Sequence, residues 1–153
     1  MLPTPTHPLR YAAGLLVFAA VAFVALIVGA FGFITLFTDT EVIQEPDAGT
    51  ALGPLMVLAA TVLLAVLLFA SARSRGGIVL RMPVLRSLVI AVSVYLAFVF
   101  SGGLLYGLGA GSLISVLIFA AAHAVDPFAL ALLPITLAVA LSYFGVLVAR
   151  SHN

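Results

Sequence analysis

Four stretches of this chain offer water almost nothing to bind: about Leu9 to Phe37, Pro54 to Ala72, Pro83 to Leu108, and Pro127 to Ala149. A helix rises about 1.5 Å per residue and the hydrocarbon core of a bilayer is about 30 Å thick, so each run is long enough to cross a membrane. Inside hydrocarbon the backbone must satisfy its own N–H and C=O groups, which only helices and closed barrels achieve. Barrel strands alternate apolar and polar residues; these runs do not, so they read as helices. Composition agrees. The 153 residues are 65% hydrophobic and only 7% charged, where a soluble domain carries about 25% charged residues. With so little polar surface, the chain cannot cover itself in water. The expected fold is all-α: a polytopic transmembrane helix bundle forming a single integral membrane domain over residues 1–153.

Proline marks where the runs begin, at Pro8, Pro54, Pro83 and Pro127. The first N–H groups of a helix lack partners anyway, so a residue without an N–H costs little there. Asp126, just before Pro127, adds an acceptor for those N–H groups and a negative charge at the positive end of the helix dipole. The run from Tyr11 to Phe37 far exceeds the roughly 7–15 residues of a secretory h-region, so it reads as a retained span. The stretch "GGLLYGLGAGSLISVLIFAAAHAV", Gly102 to Val125, has two readings. In the first, the third span continues to Leu108, the chain turns at "GAGS" with Ser112 as N-cap, and a short extra helix covers 113–125, re-entrant or at the outer interface. In the second, the chain breaks at "SGG" and Leu104 to Val125 is a fifth span.

Charge favours four spans. All six basic residues are arginines, and four of them, Arg73, Arg75, Arg81 and Arg86, flank one short connection. Positive residues stay on the cytoplasmic side. With that connection inside and four spans, Arg10 and Arg150 are also inside. Asp39, Glu41, Glu45, Asp47 and Asp126 then all lie outside. The expected location is the cell membrane with both termini cytoplasmic. Beyond topology, each arginine near an anionic headgroup contributes about 1 kcal/mol.

No charged residue lies deep within a span, which argues against ion relays or gating charges. Lone hydroxyls at Thr35, Thr61, Ser93 and Thr136 are expected to bond back to their own helix or a neighbour. His123 and Asp126, three residues apart, share a helix face. They form the most chemical-looking pair, expected at the outer face as an interfacial anchor and a helix cap. Metal sites want three or four ligands and only these two can be named. A serine hydrolase is disfavoured: Ser115 and His123 are eight residues, or about 12 Å, apart on one helix. "GAGS" at Ser112 is not a nucleophile elbow. The acidic segment "DTEVIQEPDAG" lacks the alternating ligands of a calcium loop. With no cysteine there is neither a disulfide nor a thiolate site. Scattered arginines make no nucleic-acid footprint. No cofactor is expected. Gly103, Gly107 and Gly111, spaced by four, mark either a groove where another helix approaches closely or a helix end and turn. Pro134, inside the last span, is expected to kink that helix and free a carbonyl near Leu130.

Arginine without lysine, abundant alanine and valine, and short proline-led connections give a layout that resembles small uncharacterised multi-pass membrane proteins of actinobacteria. The resemblance extends over the whole chain, rests on composition and layout, and implies no particular site residue. With short loops and no catalytic set, the chain reads as a non-enzymatic integral membrane protein. It is expected to act by helix–helix association as an interaction or assembly subunit, with the lipid bilayer and a second copy or membrane-protein partner as its contacts. The alternative is a small transporter or channel, as a single chain or an oligomer; a membrane-embedded enzyme using His123 and Asp126 ranks third.

Overall fold

Each apolar run is helical in the computed structural model, which describes residues 7–39, 51–73 and 83–151. Helix α1 spans His7–Thr38, α2 Leu52–Arg73, α3 Pro83–Ala110, α4 Leu113–His123 and α5 Pro127–Ser151. Four of them, α1, α2, α3 and α5, are long and apolar enough to cross a membrane; α4, with 11 residues, is not. The third run passes straight through "SGG" and ends at Ala110, so the four-span reading holds. Proline is the first residue of α3 and of α5, where its missing N–H costs nothing.

The helix ends follow backbone chemistry. Gly111 has φ +65°. Its N–H donates to the carbonyl of Leu108, and that of Ser112 donates to the carbonyl of Gly107 at 3.1 Å. This pair of bonds is a Schellman closure, which requires a left-handed residue that glycine adopts without strain. Gly111 is therefore the turn residue. Asp39 does the same after α1, with φ 51° and its N–H donating to the carbonyl of Thr35. Ser112 occupies the N-cap position of α4 in an extended conformation, but its hydroxyl makes no capping bond. The short helix ends at His123, and Ala124 and Val125 form a turn rather than its last residues.

Buried residues recur every four positions: Ala19, Phe23 and Ile27 on α1; Leu52, Met56, Ala60, Leu64 and Leu68 on α2; Ile90, Val94 and Phe98 on α3. Residues four apart stack on one face, so α1 and α2 each present one seam, while α3 also buries Ala91, Val99, Gly102, Gly103 and Gly107. Helix α3 packs against α2, α4 and α5, and α1 closes the ring against α2 and α5. The outward faces are as apolar as the seams. Phe37 is 81% exposed and Leu113 84% exposed, which in water would be a liability and in lipid is an ordinary surface.

Candidate functional site

Helix α4 lies in a groove of α3 from which side chains are missing. A Cβ at Gly102 would stand 2.5 Å from Cε of Met56 and 2.9 Å from Cε1 of Phe119. At Gly103 it would meet the carbonyl oxygen of Val116 at 2.7 Å. At Gly107 it would collide with Cγ2 of Val116 and press on the carbonyl of Ser112 at 3.1 Å. The two backbones can approach this closely only because α3 carries glycine there. Gly103 and Gly107 thus serve the packing of α4 on its own chain. The groove is filled from within, so docking of a second chain no longer rests on it.

These contacts fix a register. Val116 faces Gly103 and Gly107, Phe119 faces Gly102, and the hydroxyl of Tyr95 donates to the carbonyl of Ala124. Each step forward along α4 is a step back along α3, so the helices are antiparallel. From Gly107 to Tyr95 the contact runs about 18 Å along α3. The α4–α5 turn therefore lies level with the middle of α3. Phe31 corroborates the level: its ring meets Phe98 edge-on at 6.1 Å and Phe128, in the first turn of α5, at 5.3 Å. Together α4 and α5 make one path from the end of α3 back along the bundle, interrupted at Ala124 to Asp126.

The interruption gathers polar groups. The ring of His123 stacks on Phe119 at 4.0 Å, and Phe119 stacks on Tyr106 of α3 at 5.0 Å. His123 is buried, and its Nδ1 lies 3.0 Å from the carbonyl oxygen of Phe119. A carbonyl only accepts, so Nδ1 carries the hydrogen and, in the neutral ring, Nε2 carries the lone pair. Oδ1 of Asp126 accepts from the N–H of Phe128 at 3.0 Å, the cap expected of it. The N–H of Asp126 donates to the carbonyl of His123. Among the described residues no group of three His, Cys, Asp or Glu side chains is placed to hold a metal ion.

At the opposite end, Nε of Arg86 on α3 donates to Oγ of Ser71 on α2 at 3.0 Å, and Ser71 donates to the carbonyl of Leu67. The guanidinium of Arg73 lies 5.9 Å from the Phe69 ring centroid, within cation–π range. Arg75 and Arg81 lie outside the described residues, as do Glu41, Glu45 and Asp47. Thr61 donates to the carbonyl of Val57 at 2.7 Å, as expected, and Thr35 is exposed. Ser93 is half-buried. Helix α5 continues through Pro134.

Sequence reasoning missed Tyr95, whose hydroxyl ties the turn to α3. The signal was present, because a tyrosine amid an apolar run must find a partner for its hydroxyl. It also missed Met56 and Phe119, which close over Gly102; nothing in an isolated helix marks them. No curated protein and no solved structure matches the chain. A family profile does, over residues 6–153. By that match the chain belongs to a family of unknown function, DUF6121.

Proposed function

We propose that this is a non-enzymatic membrane protein of the bacterial plasma membrane that works by associating, through α1, with a second copy or another membrane-embedded chain. Both termini are cytoplasmic in this reading, with the arginine-flanked connection on the same side. The observation that carries it is the outward face of α1. Gly14, Ala25, Gly29 and Gly32 fall on the side of that helix opposite its buried seam of Ala19, Phe23 and Ile27. At Gly14, Gly29 and Gly32 no other described residue lies within 4 Å of the place a Cβ would occupy. Small residues spaced along a lipid-facing helix let another backbone come close, and in lipid that packing, rather than hydrophobic burial, drives association. The test is energy transfer between labelled copies in liposomes, with co-purification for a foreign partner. Gly29→Leu and Gly32→Leu, whose Cβ meets no described residue within 4 Å, should weaken association at least tenfold. Association unchanged by both variants would remove the reading.

A second reading, a small transporter or channel, is favoured by the interrupted α4–α5 path. Discontinuous helices with polar groups near mid-depth are the usual construction of a solute or ion site in a membrane. It requires flux in proteoliposomes, and no flux across pH, ion and small-solute gradients would eliminate it.

A further inference from the structure

Five hydroxyl groups on these helices share one habit. Thr38, Thr61, Ser71, Ser87 and Ser101 each donate to a backbone carbonyl of their own helix. Thr136 and Tyr143 do not. Thr136 is 0% exposed and Tyr143 2% exposed, yet neither hydroxyl oxygen has a hydrogen-bond partner among the described residues. Thr136 forgoes the bond that Thr61 makes four residues back. A buried hydroxyl with nothing to bond is unfavourable, more so where hydrocarbon surrounds the bundle.

Both residues are on α5, seven positions apart, which puts them on one face about 10 Å from each other along the axis. That face packs toward α1 and α3. Long side chains on a helix lean toward its N-terminus, which carries the Tyr143 hydroxyl back toward Thr136. Between them on the same face stands Ala140, buried but no larger than a methyl group. Its neighbours along α5 are apolar: Leu132, Val139 and Phe144, whose ring meets that of Tyr143 edge-on at 5.7 Å. Two groups that each donate and accept, among apolar neighbours on their own helix, suit a neutral ligand that also donates and accepts.

We propose that Thr136 and Tyr143 hold ordered water inside the bundle, bridging the two hydroxyls along the inner face of α5. Such water satisfies groups that no described residue reaches, and it places a polar site in the half of the bundle beyond the α4–α5 turn. The site stands whether or not the protein associates or transports.

Two measurements test it on the purified full chain. The first is a double-mutant cycle of thermal stability with Thr136→Val and Tyr143→Phe. If water bridges the pair, each single change lowers the midpoint by about 2–4 °C, and the double variant melts no lower than the worse single one, because the first loss already releases the water. If each change raises the midpoint and the gains add, the hydroxyls are dry and the proposal is overturned. The second uses the absence of cysteine in the native chain. Thr136→Cys in folded protein should react with a small neutral hydrophilic thiol reagent at least tenfold faster than Leu132→Cys, its buried apolar neighbour. Equal rates would overturn the proposal independently of the stability data.

Discussion

Adding one methyl group at Gly103 should loosen α4. A Cβ there stands 2.7 Å from the carbonyl oxygen of Val116 and 3.3 Å from Cβ of Ala120. Ordinary contacts begin near 3.4 Å, so the backbone of α4 must retreat by about 0.7 Å. A backbone oxygen cannot rotate aside as a side chain can. A gap of about 0.5–1 Å forfeits a quarter to a half of the dispersion energy across it. On the order of 40 close atom pairs from Val116, Phe119 and Ala120, at ~0.15 kcal/mol each, contribute about 6 kcal/mol, so about 1.5–3 kcal/mol is lost. Against this, alanine in a helix is favoured over glycine by roughly 0.8–1 kcal/mol. The expected net effect of Gly103→Ala is a loss of about 0.5–2 kcal/mol. The control is Gly145→Ala on α5, where nothing lies within 4 Å of the added atom. It gains the helix preference alone and should stabilise by about 0.5–1 kcal/mol. Unfolding in mixed micelles by titration with a denaturing detergent reads both. If Gly103→Ala matches or exceeds wild type, as Gly145→Ala is expected to, the close packing of α4 on α3 is wrong.

Tyr95→Phe removes the hydroxyl that donates from α3 to the Ala124 carbonyl; it should cost about 0.6–1.7 kcal/mol in the same assay. Stability equal to wild type would deny Tyr95 its tethering role. Asp126→Ala loses the bond to the Phe128 N–H and should cost about 1 kcal/mol. Asp126→Asn keeps an acceptor and should recover most of that loss. Equal losses in the two variants would mean that the charge, not the cap, matters at this position.

What could be read directly from the chain is what depends on neighbours in sequence. Pro83 and Pro127 begin helices because any helix tolerates proline in its first position. Gly111 turns the chain because a left-handed residue was needed between two apolar helices. The placement of α4 is different in kind. Gly103 and Gly107 announce that something packs closely, but not what, and the occupant is a segment a few residues further on. The depth of His123 and Asp126 follows from that packing. Their position between two apolar runs points to an outer connection; the antiparallel return of α4 brings them level with the middle of α3. Hydroxyls in apolar helices usually bond to their own backbone, so nothing in the residue order distinguished Thr136 from Thr61.

The central claim is that α4 and α5 together make one membrane crossing, so that the chain crosses four times. Side-specific labelling tests it most directly, since the native chain has no cysteine to interfere. Single cysteines at Thr50, Ser74, Ser112 and Ser151 are probed in intact cells with an impermeant thiol reagent, before and after permeabilisation. The account predicts that Thr50→Cys and Ser112→Cys react from outside, whereas Ser74→Cys and Ser151→Cys react only after permeabilisation. Reaction of Ser112→Cys and Ser151→Cys from the same side would contradict it, because the path between them would then cross the bilayer twice or not at all.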